Sequence, residues 1–374
     1  MTFAPAARSG ERILVVVRGH LGDVMQALPA LRDLRRARPE ARITVLVNEY
    51  VKSAFERCPY VDLVIPGFAY RRQGRLAALA RSARTFVSLA GRFDTVIALR
   101  WSPSRTPLLA LLSGARVRVG YDRTGKAGRL LTHNLGAEPI DTVSNRVLNE
   151  GPLRALGIAT NPSYPLLDWT SESLRRDVGR LLQKAGVLST DRFALVQMSS
   201  HWGCGEWRSD KWAAVSEHLT TRHGLKVVAT GASDWFELAK LASVRGRCRT
   251  EVISLVGQTT LPQLFELVRR ADIVVAGDSG VAQVALAQRT PSVVLFGIEE
   301  IEANGPLPGE AGGLMRTIQR WSPAEGGQVQ NPHCAFGQSH CHGSFCTEDS
   351  SRRSIRAEDV IELVDQALRE RVSA

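Results

Sequence analysis

The chain has 374 residues, 44% of them hydrophobic and 23% charged, which is typical of a folded globular protein and excludes a fibrous or wholly disordered one. At roughly 150 residues per domain, this length favours two domains. No apolar run approaches the roughly 20 residues that cross a bilayer, and residues 1–12 lack the apolar stretch of a secretory signal. We therefore expect a cytoplasmic protein without a transmembrane helix.

The basic residues are unevenly divided, since 42 are arginine and six are lysine, and the net charge is +11. Nucleic acid is one partner that such charge suggests, but no recognisable nucleic-acid-binding motif is present, and codon usage alone can produce the arginine bias. We therefore expect no nucleic-acid partner. The densest basic segment is either a solvated helix face or a docking surface for an anionic substrate or an acidic membrane, with peripheral contact at most. It contains Arg71, Arg72, Arg75, Arg81, Arg84 and Arg92.

The first half of the chain alternates short β-rich runs with helical patterns. Residues 13–17 form a near-continuous apolar strand, as expected at the centre of a parallel sheet. A helix is predicted over 23–36 and another near 51–57, with further strands at 43–47, 61–65 and 95–99. This alternation predicts a doubly wound α/β sheet.

The second half repeats the alternation after a helix over 171–185. Strands are predicted at 193–197, 226–230, 253–255, 273–276 and 292–296, and helices at 212–222, 235–244, 261–269 and 280–287. Pro162 and Pro165 interrupt the periodicity between the halves. We therefore predict two Rossmann-like domains, residues 1–168 and 169–350, followed by a terminal helical segment, 351–374. Within these, residues 304–350 are expected to be irregular, and 357–371 to be helical.

The turn after the first strand, residues 18–23, is the first candidate site. Gly19 and Gly22 let the backbone approach a ligand closely, and the helix start offers unpaired N–H groups. Asp23 either caps the helix or acts as a general base, because open α/β sheets bind ligands at the carboxyl ends of their strands. The sequence GHLGD lacks the G-x-G-x-x-G spacing of a dinucleotide site.

Two turns of the second half are also candidates. At Asp278-Ser279-Gly280 the backbone N–H groups and the serine hydroxyl can hold a phosphate, while Asp278 caps the turn or accepts from a sugar hydroxyl. Near Gly231, Glu237 lies one helical turn further and can bind ribose hydroxyls. An ordinary capped turn is the alternative at Asp278-Ser279-Gly280, and a solvated helix start is the alternative near Gly231.

Several blocks of the sequence resemble glycosyltransferase family 9, the ADP-heptose heptosyltransferases. They are ILVVVRGHLGDVMQALPALRDLRRARPEARITVLV (13–47), RVGYD (118–122), SNRVLNEGPLRALGI (144–158) and SLVGQTTLPQLFELVRRADIVVAGDSGVAQVALAQRTPSVVLFG (254–297). The resemblance implies a GT-B fold, with an acceptor-binding N-terminal domain, a donor-binding C-terminal domain and the active site in the cleft between them. It also implies a terminal helix that can cross back to the first domain.

The resemblance also implies roles for single residues in an inverting transfer of a sugar, heptose from ADP-heptose, to a hydroxyl of a lipopolysaccharide core or a soluble natural product. Asp23 would be the base, and no cofactor would be required for catalysis. The acceptor, a glycan, glycolipid or small molecule, would contact Arg100 and His20. The nucleotide-sugar donor would contact Gly22, Arg18, Ser199, Ser200, Arg208, Gly231, Glu237, Asp278, Ser279, Gly280 and Gln283.

The chain departs from the family pattern twice on the donor side. The family's K-R-W-P-x-x-x-W becomes GEWRSDKW at 205–212, so Gly205 stands where a phosphate-binding lysine is usual, and Arg208 or Arg18 would have to replace its charge. The family's D-T-G-x-x-H becomes DSGVAQ, with Gln283 in place of histidine. A non-catalytic GT-B protein that binds nucleotide or glycan is therefore the alternative, and an epimerase is disfavoured by the motif blocks.

The tail is rich in cysteine and histidine. Cys334, Cys341, Cys346 and His342 offer enough soft ligands for a structural zinc or iron site. The spacing contains no C-x2-C pair, so a disulfide or free thiols are the alternatives.

Overall fold

The computed structural model describes residues 10–68, 85, 87–100, 106–122, 125, 127–137, 143–166, 170–198, 207–296, 301–310, 314–319 and 355–373. The chain divides into two compact units, Met1–Leu167 and Asp168–Ala374. Each unit contains one six-stranded sheet in which neighbouring strands are parallel. The two parallel sheets confirm the predicted α/β class.

The strands of the first unit are β1 (Arg12–Val16), β2 (Arg42–Asn48), β3 (Leu63–Phe68), β4 (Thr95–Ala98), β5 (Val117–Gly120) and β6 (His133–Asn134). They lie in the order β3-β2-β1-β4-β5-β6. The predicted apolar strand, β1, is central, and its four apolar residues are buried. A strand that is covered on both faces needs apolar side chains at successive positions, which is why this run does not alternate with polar residues.

The helices of the first unit are α1 (Leu21–Gln26), α2 (Leu28–Ala37), α3 (Thr106–Leu112) and α4 (Asn145–Ala155), and a short 3₁₀ helix covers Glu49–Ala54. The single helix predicted over 23–36 is wrong, since the structure divides it at Ala27. Pro29 explains the break, because proline has no N–H to donate to the carbonyl four residues earlier. The Ala27 N–H instead donates to the Val24 carbonyl at 3.2 Å.

The strands of the second unit are β7 (Phe193–Gln197), β8 (Lys226–Ala229), β9 (Val252–Ser254), β10 (Ile273–Gly277), β11 (Ser292–Phe296) and β12 (Met315–Gln319). They lie in the order β12-β11-β10-β7-β8-β9. The prediction of irregular structure over 304–350 is wrong at β12, which pairs in parallel with β11 along its length. A five-residue edge strand with arginine, threonine and glutamine carries little hydrophobic signal of its own.

The helices of the second unit are α5 (Glu172–Lys184), α6 (Ser209–His223), α7 (Trp235–Arg245), α8 (Leu261–Arg270), α9 (Gly280–Gln288), α10 (Ile301–Asn304) and α11 (Ala357–Ser373). Side chains cap three of them, because Ser171, Asp234 and Thr260 each accept the backbone N–H three residues later. None of the helices in the described part of the chain is long and apolar enough to cross a membrane.

The terminal helix α11 belongs to the core of the second unit. Its buried face, which includes Val360, Val364 and Leu368, lies in the same apolar cluster as Trp207 and Trp212. The two tryptophan rings meet edge to face with centroids 4.9 Å apart, and the Trp207 indole N–H donates to the Ile355 carbonyl just before the helix. The family resemblance predicts that this helix returns to the first domain, and that stays a prediction; its apolar face is buried in the core of the second unit.

Both sheets share one strand order. The first strand of each set lies beside the fourth, so β1 neighbours β4 and β7 neighbours β10. The connections leave these two strands in opposite directions along the sheet, and the carboxyl ends of such a pair border a crevice where open α/β sheets bind ligands. This topology places candidate sites after β1 and β4 in the first unit, and after β7 and β10 in the second.

We expect Leu368→Ala to lower the free energy of unfolding by about 2–4 kcal/mol, because truncation leaves a cavity between α11 and its sheet. Urea unfolding followed by circular dichroism measures this loss. Glu362→Ala, on the exposed part of the same helix, is the matched control and should change the value by no more than about 0.5 kcal/mol. Equal effects of the two variants would contradict the packing described for α11.

Candidate active site

In the first unit, the chain leaving β1 forms a tight turn that holds Asp23 in a fixed orientation. The His20 N–H donates to Asp23 Oδ2 at 2.8 Å, so the carboxylate caps the start of α1. Gly19 has φ +129°, and a Cβ there would lie 2.2 Å from Asp23 Oδ2. Only glycine therefore allows the carboxylate to lie this close to the backbone.

The second oxygen of Asp23 faces a cation from the neighbouring strand. Arg100, two residues beyond β4, places Nη1 3.7 Å from Asp23 Oδ1, and the carboxylate side chain remains 27% exposed. Burial raises the pKa of Asp23 above its ordinary value, although the His20 amide and Arg100 both act to lower it. A partly exposed carboxylate with a raised pKa is suited to accept a proton from a bound hydroxyl. Asp23 can thus cap the start of α1 and still accept a proton as a base.

A buried amide connects the two sides of this pair. Asn149, on α4, accepts the Arg100 N–H at 3.1 Å through Oδ1 and donates Nδ2–H to the Gln26 carbonyl at 3.0 Å. Gln26 is the last residue of α1, the helix that begins beside Asp23. Asn149 therefore fixes the segment that carries Arg100 relative to the helix that carries Asp23.

The chain after β2 supports the same turn from its other side. Asn48 Nδ2 and the Tyr50 hydroxyl both donate to the Gly19 carbonyl, at 2.7 and 3.3 Å. The Tyr50 hydroxyl also lies 2.6 Å from His20 Nδ1. His20 is exposed beside the carboxylate and Arg100 is buried behind it, so only His20 of the two expected acceptor contacts is open to solvent.

In the second unit, the turn after β8 holds a glutamate against the backbone. A Cβ on Gly231 would lie 2.5 Å from Glu237 Oε2, and Gln197, the last residue of β7, places Nε2 3.5 Å from Glu237 Oε1. Asp234 caps the helix by accepting the Glu237 N–H at 3.0 Å. Asp234 thus caps the helix, and the Glu237 carboxylate is turned towards the end of β7.

The turn after β10 is organised by Asn304. Its Nδ2 donates to Asp278 Oδ2 at 2.8 Å, and its carbonyl accepts Gln283 Nε2–H at 2.7 Å. Gln283 is 2% exposed, so it acts on this turn through Asn304. The Ser279 hydroxyl at the start of α9 is buried, and the described residues offer it no hydrogen-bond partner. Such a hydroxyl beside free helix N–H groups is available to an anionic ligand.

The cations expected to replace the missing lysine have different surroundings. Arg18 is exposed in the turn after β1. Arg208 Nε and Nη2 contact the Asp210 carboxylate at 3.0 and 3.2 Å, so a phosphate would have to compete with Asp210. Nearby, Lys211 and Lys240 donate to the backbone carbonyls of Ile355 and Trp207 respectively.

Several expected site residues lie outside the described part of the chain. These are the donor contacts Ser199 and Ser200, the substituted Gly205, the tail ligands Cys334, Cys341, Cys346 and His342, and Arg71, Arg72, Arg75, Arg81 and Arg84 of the basic segment.

The structure adds residues that the sequence did not single out. Asn48, Tyr50 and Gln197 lie at the carboxyl ends of strands, a position that could have indicated them. Asn149 and Asn304 come from a helix and a short loop helix, and nothing in their local sequence identifies the carbonyls and carboxylates that they contact.

Comparison with known proteins agrees with this architecture. The model of the family described as glycosyltransferase family 9 (heptosyltransferase) matches residues 83–325. Lipopolysaccharide heptosyltransferase 3 of Escherichia coli is 26% identical over 290 residues, covering 74% of this chain and 80% of that protein.

Two solved structures share the fold at low sequence identity. A glycosyl transferase family 9 protein from Veillonella parvula has a TM-score of 0.77 at 23% identity, with 98% of this chain and 99% of that one covered. Escherichia coli ADP-heptose LPS heptosyltransferase II has a TM-score of 0.72 at 20% identity, with 96% and 99% covered. Because the family model spans more than half of its residues, the chain belongs to glycosyltransferase family 9 and is a transferase with the GT-B fold.

Proposed function

We propose that this glycosyltransferase transfers heptose from ADP-heptose to a hydroxyl of a lipopolysaccharide core, with inversion at the anomeric carbon. The observation that carries the proposal is the Asp23 carboxylate at the switch point of the first sheet, held by the His20 amide and facing Arg100. The names of two relatives, lipopolysaccharide heptosyltransferase 3 and ADP-heptose LPS heptosyltransferase II, support the donor and the acceptor. They also make the non-catalytic alternative the less favoured one.

In the proposed reaction Asp23 removes the proton from the acceptor hydroxyl. The resulting oxygen nucleophile attacks the anomeric carbon while ADP leaves from the opposite face, which inverts the configuration. Burial raises the pKa of Asp23, and the His20 amide and Arg100 act against that rise, which favours the charged carboxylate that can accept a proton. His20, exposed beside the carboxylate, is the proposed acceptor contact.

The second unit supplies the proposed donor site. Glu237 would accept hydrogen bonds from the ribose hydroxyls. The Ser279 hydroxyl and the N–H groups at the start of α9 would hold the pyrophosphate. These dipoles stabilise the charge that develops on departing ADP, so the scheme requires no cofactor. Asp278, to which Asn304 donates a hydrogen bond, would accept from a sugar hydroxyl and lie away from the phosphates, since two anions repel.

We expect Asp23→Asn to lower kcat by about 10²- to 10⁴-fold, because asparagine can still accept the His20 N–H but cannot take a proton. The wild-type rate should fall as the pH decreases. The midpoint of this fall should lie above the ordinary aspartate pKa of about 3.9, because burial raises the pKa of Asp23. Sugar transfer measured across a pH series tests both expectations.

Thermal unfolding of the same variant separates catalysis from folding. A raised pKa means that the folded state favours protonated Asp23, so its contribution to stability is lost as pH rises through that pKa. Asp23→Asn should therefore melt no lower than wild type at neutral pH, and the difference should shrink in acid. Near-normal turnover of Asp23→Asn would contradict the assigned base.

We expect Asn149→Ala to move the acid limb of the rate profile to higher pH, because a less constrained Arg100 lowers the pKa of Asp23 less effectively. The measurement is kcat against pH, with KM for the donor as the control, which should change little. A uniform loss of activity with an unmoved limb would indicate a purely structural effect of Asn149.

We expect ADP and ADP-sugars to raise the melting temperature more than UDP, GDP or dTDP compounds, because a ligand that binds only the folded state stabilises it. Ser279→Ala should weaken ADP binding by about tenfold or more, through loss of a hydrogen bond to a charged group. Ser292→Ala is the matched control, since the Ser292 hydroxyl is also buried without a partner among the described residues but lies within β11. If ADP compounds leave the melting temperature unchanged while another nucleotide raises it, the donor assignment is contradicted.

A further inference from the structure

Two histidines and an aspartate meet on the second unit, away from the turns described above. His218 and His223 lie on α6, and both place Nε2 2.7 Å from the same Asp365 Oδ1 on α11. Their rings are in edge contact, with centroids 5.4 Å apart. The three side chains therefore converge on one point from two helices that are adjacent in the core cluster.

We propose that the convergence of His218, His223 and Asp365 between α6 and α11 forms a binding site for a divalent transition metal such as Zn²⁺. Imidazole nitrogens with one carboxylate oxygen suit zinc and related first-row ions, whereas Mg²⁺ and Ca²⁺ prefer ligand sets made of oxygen alone. Among the described residues, this is the one group of three potential ligands that lie close enough together.

The three side chains are close enough for one ligand atom of each to reach a single ion after local adjustment. One ligand atom from each residue lies within 4.8 Å of the other two, and tetrahedral zinc holds its ligands at about 2.0–2.2 Å. The metal would take the place of the hydrogens through which Nε2 of each histidine can donate to Asp365, and these protons would pass to solvent. The side chains of His218, His223 and Asp365 are 23%, 20% and 26% exposed, so an ion can enter and water can complete the coordination.

The charge state of the cluster also suits a cation. Asp365 is the acidic member of the cluster, and its carboxylate supplies the negative charge that two imidazole ligands do not.

The position of the cluster indicates a structural role. His223 ends α6 three residues before β8 begins at Lys226, so it lies near the amino-terminal edge of the second sheet. The proposed donor turns follow the carboxyl ends of β8 and β10 and thus lie at the opposite edge. A metal here would join the terminal helix to α6, a connection across more than 140 residues of sequence, and would stabilise the folded state.

The test uses the full-length protein with Cys334, Cys341 and Cys346 changed to serine and His342→Gln, which removes the candidate ligands of the tail. After chelator treatment and dialysis, we expect this protein to bind about one equivalent of Zn²⁺ by calorimetry. Its melting temperature should rise on the order of 5 °C at a hundredfold excess over the dissociation constant, and Mg²⁺ should have no such effect.

Variants of the cluster provide the comparison. His218→Gln and His223→Gln keep an N–H donor for Asp365 but remove a metal ligand, so zinc binding and the rise in melting temperature should both be lost. His133→Gln, in the strand β6 of the first unit, is the matched control and should bind zinc as before. Circular dichroism without metal verifies that each variant is folded.

X-ray absorption at the zinc edge of the tail-substituted protein gives a measurement that needs no cluster variant. Two imidazole nitrogens with oxygen ligands at about 2.0–2.2 Å would support the proposal. Less than a tenth of an equivalent of bound zinc in the tail-substituted protein would overturn it. Undiminished binding in the two glutamine variants, or a spectrum without imidazole scattering, would overturn it equally.

Discussion

The orientation of the Asp23 carboxylate is the constraint on which the first unit's site depends. One oxygen accepts the His20 N–H and the other faces Arg100, so neither can rotate away without losing an interaction. Gly19 makes this possible by omitting a side chain where the carboxylate lies. Burial and these two interactions act on the pKa of Asp23 in opposite directions, and their balance determines whether a carboxylate at the end of a buried strand can act as a base.

The two units share one strand order, but different polar groups lie at their switch points. The switch point of the first sheet holds the Asp23 carboxylate beside a buried guanidinium, the pair on which the proposed proton abstraction rests. In the second sheet, Asn304 donates a hydrogen bond to the Asp278 carboxylate. The Ser279 hydroxyl and the N–H groups at the start of α9 remain for a ligand. In the proposed donor site, the hydroxyl and the helix N–H groups would hold the anionic pyrophosphate.

Many of the arginines have structural roles, which accounts for part of the basic excess. Arg32 pairs with Asp33 in the first unit and donates to the Ser163 carbonyl, while Arg146 lies over the ring of Tyr164. In the second unit Glu266 is fully buried between Arg269 and Arg270. These arginines bind carboxylates, backbone carbonyls or a ring within the fold, so the net charge of +11 is a poor guide to the binding partner.

The sequence by itself determined the α/β class, the central strands and the turns that carry Asp23 and Asp278, because apolar periodicity and glycine placement are local properties of the chain. Pro29 could have indicated the break at Ala27, whereas the edge strand β12 depends on its pairing with β11. Only the tertiary structure brought Asn149 to Arg100, Asn304 to Asp278 and Asp365 to the two histidines of α6. These contacts join residues from 26 to 147 positions apart, and such pairings follow from how elements pack rather than from any pattern within them.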